Sequence, residues 1–182
     1  MNSDSDFQLV KDFLNGDSSA FNKIAIKYRK NIYWLARRML GNHLDADEVT
    51  QEVLITIYKK LNSFKFNSSL FTWIYKITST RSINFLNRKK LRRFIPFEDA
   101  KPDWIVSGDV ISDQLENKEK LEKLDRILKM IPVKQRQVFI LRQLDGLSYD
   151  EISKISGKSI GGLKANYHHA IKKIMEMMNE EE

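Results

Sequence analysis

Residues 147–167 of this 182-residue chain read LSYDEISKISGKSIGGLKANY and predict two short helices joined by a tight turn. Ser148 and Glu151 have the spacing of a capping box, in which a hydroxyl and a carboxylate each satisfy a backbone N–H at the start of the first helix. Gly157 permits the positive φ that ends a helix, and Ser159 is a favourable N-cap for the next one. Because the second helix begins within about one turn of the end of the first, the two helices cross as in a helix-turn-helix.

The second of these helices has one apolar face and one polar, basic face that lacks acidic residues. The apolar positions recur with helical period at Ile160, Leu163, Tyr167, Ile171, Ile174 and Met178. The opposite face carries Ala165, Asn166, His169, Lys172 and Lys173. Such a face fits the major groove of DNA.

The chain as a whole is basic, with 31 Lys and Arg against 24 Asp and Glu, a net charge of +7 and a pI near 9.5. These values indicate a polyanionic partner, either a nucleic acid or an anionic membrane surface. No segment approaches the roughly 20 apolar residues of a membrane span, and the acidic start MNSDSD is unlike a secretory signal. The absence of cysteine excludes disulfides and thiolate metal sites. We expect a cytoplasmic protein with no direct membrane insertion.

Helical periodicity recurs along the chain and strand alternation does not, so we expect an all-α fold. Helices are predicted at residues 6–15, 18–40, 45–61, 69–91, 112–130, 133–144, 148–155 and 159–178. Residues 95–108 contain two of the three prolines, several acidic residues and no sustained helical period. This pattern predicts two small helical domains, 1–93 and 113–182, joined by a flexible acidic linker at 94–112.

Residues 65–97 contain no Asp or Glu but many cations and aromatic residues. The cations are Lys65, Lys76, Arg81, Arg88, Lys89, Lys90, Arg92 and Arg93, and the aromatic residues include Phe66, Phe71, Trp73, Tyr75 and Phe85. Cations attract the phosphates of a single strand while aromatic faces stack on its bases, so this composition is typical of a surface that binds unstacked DNA. The alternative is that Phe71 and Trp73 are ordinary core residues and that the cations at 88–93 complement a helix dipole. A helical projection places Trp73 on the apolar face and Tyr75 off it.

The helix predicted at 45–61 has the opposite character, because its first two turns carry Asp45, Asp47, Glu48 and Glu52. Asp45 and Glu48 have the spacing of an Asp variant of the capping box. Its buried stripe is predicted to be Val49, Val53, Ile57 and Leu61. The acidic patch repels DNA, so it either meets a basic or polar protein surface or stabilises the helix N-terminus.

The three histidines are predicted to be ordinary polar residues and not metal ligands. His43 falls in a predicted loop, while His168 and His169 are neighbours on a helix and point about 100° apart.

Six fragments, in this order and spacing, resemble the extracytoplasmic-function (ECF) class of bacterial sigma factors. They are DADEVTQEVL at 45–54, LNSFK at 61–65, FTWIYKI at 71–77, IP at 131–132, QVF at 137–139 and LDGLSYDEI at 144–152. Proteins of this class are promoter-specificity subunits of RNA polymerase and consist of two helical domains, called region 2 and region 4. The resemblance covers nearly the whole chain. It implies that the chain binds core RNA polymerase and promoter DNA, is sequestered by an anti-sigma factor, and uses no cofactor, metal or catalytic residue.

The resemblance also implies a role for each of the three surfaces. The acidic helix is implied to dock on the clamp helices of the largest polymerase subunits, through Asp45, Asp47, Glu48, Gln51, Glu52 and Leu54. The acid-free segment is implied to open and hold the −10 promoter element, through Lys65, Phe71, Trp73, Tyr75, Lys76, Thr80, Arg81 and Arg88. The helix after the tight turn is implied to face the −35 element, through Ser159, Lys164, Ala165, Asn166, His168, His169 and Lys172.

Two fragments depart from the usual pattern of the class. Thr-Ser-Thr at 78–80 stands where relatives commonly carry an Asn, so a base pocket built around that amide is not expected, although Thr80 can still make one hydrogen bond. The recognition helix reads GGLKAN at 161–166, which offers fewer hydroxyl and cationic contacts to phosphates and places Asn166 where a cation is common. Asn pairs well with adenine in the major groove, so we expect an adenine-containing upstream element.

Two other functions are compatible with the residues alone. A stand-alone transcriptional regulator with an N-terminal sensing or dimerising domain binds a two-fold symmetric duplex site without polymerase. A metal-dependent nucleic-acid enzyme using Asp47, Glu48 and Glu52 binds divalent metal and turns over its substrate.

Overall fold

The computed structural model describes residues 3–93 and 115–180, and within these ranges all regular structure is helical. The helices are α1 (Ser3–Leu14), α2 (Ser18–Leu40), α3 (His43–Lys60), α4 (Leu70–Arg93), α5 (Leu115–Met130), α6 (Val133–Phe139), α7 (Tyr149–Ser156) and α8 (Ile160–Glu180). A 3₁₀ turn, Leu61–Ser63, follows α3, and a π-helical turn, Ile140–Leu144, continues α6. The all-α prediction is confirmed. The predicted linker at 94–112 lies outside the described residues.

Helices α1 to α4 form the first bundle, with α2 packed against the other three. The apolar stripe predicted for α3 is confirmed, because all four of its residues are completely buried: Val49, Val53, Ile57 and Leu61. A polar contact fastens α1 to α2, where the hydroxyl of Tyr28 donates to the carboxylate of Asp6 at 2.7 Å. Burial and this hydrogen bond both raise the pKa of Tyr28, so it remains a neutral donor.

The start of α3 differs from its prediction. The N-cap is Asn42, whose side-chain oxygen accepts the backbone N–H of Asp45 at 3.0 Å, and the helix begins at His43. The predicted capping box of Asp45 and Glu48 is therefore wrong, because Asn is an equally strong N-cap and stands three residues earlier. His43 is also not in a loop, and its Nδ1 lies 2.5 Å from the hydroxyl of Tyr33. Burial lowers the pKa of His43.

Helices α5 to α8 form the second bundle, in which α6 and α5 pack against α8. Its core contains Ile127, Leu128, Ile131, Val138, Leu141, Ile152, Ile155, Leu163 and Ala170. The continuous helix predicted at 133–144 changes to π geometry at Ile140, since the N–H of Asp145 donates to the carbonyl of Ile140, five residues earlier, at 3.0 Å. Gly146 then adopts a positive φ of 70° and turns the chain toward α7.

The two bundles pack against each other where α4 meets α7 and where α2 meets α5 and α6. The buried guanidinium of Arg136, which is 5% exposed, makes hydrogen bonds across this contact. One of its terminal nitrogens donates to the carbonyl of Met39 in the last turn of α2, at 2.6 Å. The other donates to the carbonyls of Lys129 and Ile131 at the end of α5, at 2.8 and 3.2 Å. A single cation thus satisfies carbonyls at the C-termini of two helices, one from each bundle.

Ion pairs extend this contact. Arg38 pairs with Asp145 at 2.8 Å, and Arg37 pairs with Asp125 at 3.1 Å. Gly41 ends α2 in the left-handed conformation, and the stem of Lys129 covers it so closely that a Cβ there would lie 2.2 Å from the Lys129 Cε. Gly41 therefore meets two demands at once, the positive φ and the close approach of the second bundle.

Candidate nucleic-acid interface

The helix-turn-helix has the local structure that its sequence predicts. The Ser148 N–H donates to Oε2 of Glu151 at 2.8 Å, and the Glu151 N–H donates to Oγ of Ser148 at 3.2 Å, so the capping box is confirmed. The backbone N–H of Ser148 and its hydroxyl both donate to the Glu151 carboxylate, and these two hydrogen bonds hold the pKa of Glu151 below its usual range. Gly157 ends α7 with a φ of 70°, and Oγ of Ser159 accepts the N–H of Gly162 at 3.3 Å at the start of α8.

The outer face of α8 is exposed along most of the predicted recognition surface. The exposed residues are Ser159, Lys164, Ala165, His168, His169 and Lys172. Asn166 is half-buried, and its side-chain nitrogen donates to the carbonyl of Gly162 at 2.7 Å. Its amide must rotate away from the helix before it can make the paired contacts that read adenine.

Tyr167 is held on the opposite side, where its hydroxyl donates to Gln143 at 2.7 Å and its ring packs beside Phe139 and Tyr149. Lys164 lies 5.8 Å from the centre of the Tyr149 ring. The aromatic residues therefore orient α8 on α7. The outer face is not free of acid as predicted, because Lys172 pairs with Glu176 one turn later at 3.9 Å.

An aromatic cluster and a small depression lie where the 3₁₀ turn meets α4. Phe64 contacts Phe66 and Trp73, with ring centroids 5.0 and 5.4 Å apart, and Phe7 contacts Phe66 at 5.3 Å. Phe66 has a φ of 56°, which is uncommon for a bulky residue and turns the chain back over α1. The depression beside it has a volume of about 220 Å³ and is lined by Ser63, Phe64, Lys65, Asn67, Ser68 and Trp73.

Tyr75 is in a different place from the one predicted. It was expected off the apolar face of α4 and available to DNA, yet it is 3% exposed and its ring centroid lies 4.0 Å from that of Phe71. Burial raises its pKa to about 12. In this conformation Tyr75 cannot stack on a base, whereas Phe71 and Trp73 are half-buried and Lys65 and Lys76 are exposed.

The Thr-Ser-Thr stretch at 78–80 presents only one hydroxyl to solvent. Thr78 is buried and donates to the carbonyl of Ile74 at 2.9 Å, and Ser79 is buried too. Thr80 is exposed and donates to the carbonyl of Lys76 at 2.8 Å. Thr80 also lines a cleft of about 230 Å³ between the bundles, together with Ile83, Asn87, Val133, Lys134, Gln137, Ile155, Ser156 and Lys158.

Cations of α4 are paired with acids of α3. Arg88 lies 3.1 Å from one carboxylate oxygen of Glu52, and Arg81 lies 3.8 Å from the other. Lys89 lies 2.7 Å from the carboxylate of Asp45. The sequence did not reveal these pairs, because each joins residues that are far apart along the chain.

The acidic helix α3 therefore has two polar faces with different environments. Asp45 and Glu52 turn toward α4, whereas Asp47, Glu48 and Gln51 are exposed and Leu54 is half-buried. The exposed face also carries three large apolar side chains, Leu44, Ile55 and Tyr58, which are 77%, 55% and 51% exposed. Sequence reasoning missed these three residues, although their helical spacing with Glu48 and Gln51, outside the buried stripe, is a readable signal of a second apolar face.

Among residues 3–93 and 115–180, no group of three or more His, Asp or Glu side chains is arranged to hold a metal ion. Glu52, one of the three ligands of the metal-site alternative, is instead paired with arginines. No helix within the described ranges is both long enough and apolar enough to cross a membrane.

Comparisons with known proteins identify the class to which this fold and these surfaces belong. The family described as Sigma-70 region 2 matches residues 25–92, and the family described as Sigma-70, region 4 matches residues 121–174. These matches correspond to the bundle that carries α3 and α4 and to the bundle that carries the helix-turn-helix.

Individual proteins similar to this chain identify a subclass of the sigma-70 family. The chain is 31% identical over 170 residues to the ECF RNA polymerase sigma-E factor of Escherichia coli (strain K12), which covers 89% of this chain and 88% of the relative. It is 30% identical over 167 residues to the ECF RNA polymerase sigma factor SigW of Bacillus subtilis (strain 168), which covers 87% of this chain and 89% of the relative. The chain belongs to the ECF class of the sigma-70 family. This membership favours the sigma-factor interpretation over a stand-alone regulator.

Solved structures show the same fold at lower sequence identity. CnrH, in complex with the cytosolic domain of CnrY, matches with a TM-score of 0.72 and 17% identity over 98% of this chain and 100% of the CnrH chain. The sigma factor RpoE of Bartonella quintana, in complex with the anti-sigma factor NepR, matches with a TM-score of 0.69 and 22% identity over 87% of this chain and 96% of the other.

Proposed function

We propose that this chain binds core RNA polymerase and directs it to a set of promoters, where it takes part in strand opening. The observation that carries the proposal is the arrangement of three surfaces in a member of the ECF class. An exposed acidic and apolar face lies on α3, a cationic and aromatic segment runs from Lys65 along α4, and a cationic recognition face lies on α8.

The α3 face is proposed to dock on the polymerase. Carboxylates at Asp47 and Glu48 lie between the exposed side chain of Leu44 and those of Ile55 and Tyr58 along the helix. Stable protein interfaces combine an apolar centre with a polar rim, and aromatic residues are enriched at their centres. A helical partner surface with basic and apolar residues fits this face.

The loop before α4 is proposed to hold an unstacked base of the −10 element. The depression has aromatic walls at Phe64 and Trp73 and a cation at Lys65, and its volume of about 220 Å³ suits one nucleobase. Opening DNA costs roughly 1.4 kcal/mol per base-pair step. Stacking one base on an aromatic side chain returns about 1–3 kcal/mol. Capture of one or two bases therefore offsets much of the cost of opening a short bubble without a catalytic residue.

The α8 face is proposed to contact the −35 element in the major groove. Lys164 and Lys172 supply cations for phosphates, while Asn166, His168 and His169 supply side chains for base edges. Because this face carries few cations, the contact is weak alone, and tethering to the polymerase raises its effective concentration. The domain limits 1–93 and 113–182, with a linker at 94–112, belong to the same proposal.

The remaining parts of the proposal concern location and regulation. A promoter-specificity subunit works where the polymerase works, so we place the chain in the cytoplasm and assign it no enzymatic activity, cofactor or metal. Sequestration by an anti-sigma factor is supported by the complex in which the Bartonella sigma factor RpoE was solved with the anti-sigma factor NepR.

Run-off transcription with core polymerase and a library of promoter fragments tests the proposed function. The chain should bind core polymerase and yield transcripts from a subset of fragments that core polymerase alone does not use. Failure to bind core, or transcripts that do not depend on the chain, would contradict the proposal. Duplex binding at a two-fold symmetric site without polymerase would instead support a stand-alone regulator.

A further inference from the structure

Three ion pairs join the acidic helix α3 to the proposed −10 helix α4. Glu52 lies between Arg81 and Arg88, and Asp45 pairs with Lys89. Arg81 and Arg88 are cations assigned to the −10 element from the sequence. The acids on α3 thus neutralise part of the positive charge on the surface proposed to bind DNA.

The exposures of these side chains show which partner is accessible. The cationic side chains of Arg81, Arg88 and Lys89 are 40%, 53% and 44% exposed. The acidic side chains of Glu52 and Asp45 are 28% and 17% exposed, so they lie beneath the cations. A phosphate arriving from solvent meets the cations first and competes with the carboxylates for them.

The geometry at Glu52 is poorly suited to a purely structural ion pair. Oε1 accepts a hydrogen bond from Arg88, whereas Oε2 is buried, has no hydrogen-bond partner, and lies 3.8 Å from Arg81. A structural Arg–carboxylate pair is typically bidentate and short. Half-exposed single contacts of this kind contribute little to folding stability.

We propose that Glu52 and Asp45 are internal competitors for DNA phosphates that lower the sequence-independent affinity of α4. When no DNA is present, these two acids pair with Arg81, Arg88 and Lys89 and so reduce binding to single strands of any sequence. The affinity of the surface for a given strand then depends mainly on the capture of its bases. Specificity is a ratio of affinities, so a lower non-specific affinity raises it without any new base contact. The inference rests on the proposed DNA-binding role of α4.

The test compares charge-matched variants of the full chain. Glu52→Gln removes a paired acid, and Glu48→Gln removes an exposed acid one turn earlier on the same helix, so both change the net charge equally. Asp45→Asn and Asp47→Asn form a second matched pair, which keeps the test valid if one variant fails to fold. Binding to a fluorescein-labelled single-stranded oligonucleotide of mixed sequence is followed by anisotropy.

Glu52→Gln should bind the oligonucleotide several-fold more tightly than wild type at about 50 mM salt, and more tightly than Glu48→Gln. When the logarithm of the affinity for a single strand is plotted against the logarithm of the salt concentration, the slope is about −0.7 for each phosphate contacted. If the variant contacts one phosphate more than wild type, its affinity should therefore fall about 2.6-fold further than that of wild type between roughly 50 and 200 mM salt. The advantage of Glu52→Gln should vanish when Arg81 and Arg88 are both replaced by Gln.

The outcomes separate the inference from the function on which it rests. Equal affinities for Glu52→Gln and Glu48→Gln, with measurable wild-type binding, would overturn the inference alone, since net charge would then explain everything. A gain that persists without Arg81 and Arg88 would overturn it as well. If neither wild type nor variant binds the oligonucleotide even at low salt, the DNA-binding role of α4 fails and the inference fails with it.

Discussion

Single residues decide where the first helix of the helix-turn-helix begins and ends. Ser148 and Glu151 each satisfy the other's backbone N–H, and Gly157 ends α7 with a left-handed backbone. These bonds form within three or four positions along the chain, so the local sequence encodes them without help from the rest of the fold.

Replacing Ser148 by Ala should lower the free energy of unfolding by about 1 kcal/mol at neutral pH, because the N-cap hydroxyl is lost. Ser156→Ala is the matched control, since the Ser156 hydroxyl donates to the carbonyl of Ile152 within α7 and caps no N-terminus. Denaturant unfolding measures both variants. Equal losses for the two would contradict the importance of the cap.

The same cap gives stability a pH dependence of known sign. The folded state holds the pKa of Glu151 below its usual value of 4.5, so the ionised carboxylate favours folding. This contribution is complete above the usual pKa and disappears as the pH falls through the lowered one. Ser148→Ala loses only the hydroxyl's share of this effect, because the backbone N–H at position 148 still donates to the carboxylate. The stability difference between wild type and Ser148→Ala should therefore narrow as the pH falls below 4.5. A difference that stays constant on acidification would show that Glu151 does not contribute through its charge.

Asn166 is the residue on which base selection at the −35 element is expected to depend. Asn166→Ala should weaken transcription by an amount equivalent to about 1–3 kcal/mol at one adenine and leave other positions unaffected. Run-off transcription from promoters with each upstream base changed in turn measures this. Uniform weakening across all promoters would mean that Asn166 does not read sequence.

At the scale of helices, the sequence does not show which distant residues a given helical face will contact. Periodicity alone predicts the buried stripe of α3. It does not predict that Glu52 turns toward α4, because the partner of Glu52 there is Arg88, 36 positions away along the chain. Tyr75 illustrates the same limit, because its ring packs on Phe71 of its own helix and lies near charged groups of two other elements, Arg38 of α2 and Asp145 of the second bundle. Periodicity predicts that a face is buried or exposed, but not which distant residue covers it.

Within α3, the exposed apolar residues carry a prediction about docking. Ile55→Arg places a charge at the centre of the proposed polymerase face and should weaken binding to core polymerase at least about tenfold, which corresponds to roughly 1.4 kcal/mol. Ile26→Arg is the control, since Ile26 is 80% exposed but lies on α2. Fluorescence binding of labelled core polymerase compares the two. Equal effects would mean that Ile55 acts through solubility or general charge.

For the whole molecule, the contact between the two bundles holds them closer together than the distance between the two promoter elements that they are proposed to bind. Promoter elements roughly 25 base pairs apart are separated by about 85 Å at roughly 3.4 Å per base pair. A compact chain of this length has a radius of gyration of about 16 Å, which is too small to span that distance. Promoter binding at both elements therefore requires the bundles to separate, which breaks the Arg38–Asp145 pair and releases the carbonyl of Met39 from Arg136.

Breaking this contact by mutation should shift the chain toward the open arrangement. Arg38→Ala leaves the carboxylate of Asp145, whose side chain is 11% exposed, buried without its cation, whereas separation of the bundles returns it to water. Small-angle X-ray scattering should give a larger radius of gyration for Arg38→Ala than for wild type. Lys30→Ala, which removes an exposed cation from the same helix, is the control and should leave the radius unchanged.

The same carboxylate makes the contact sensitive to pH in a defined direction. Burial raises the pKa of Asp145, and the pairing with Arg38 opposes this only in part. Because the closed arrangement binds the proton more tightly than an open one with Asp145 in water, closure is favoured below the usual pKa of 3.8 and weakens as the pH rises through the raised value. The radius of gyration of wild type should therefore increase as the pH rises from about 4 toward 7. Asp145→Asn removes the titrating group, so the radius of gyration of this variant should not change over this range. A wild-type radius that falls with rising pH would show that another group controls closure. An Asp145→Asn variant that behaves like wild type would show the same.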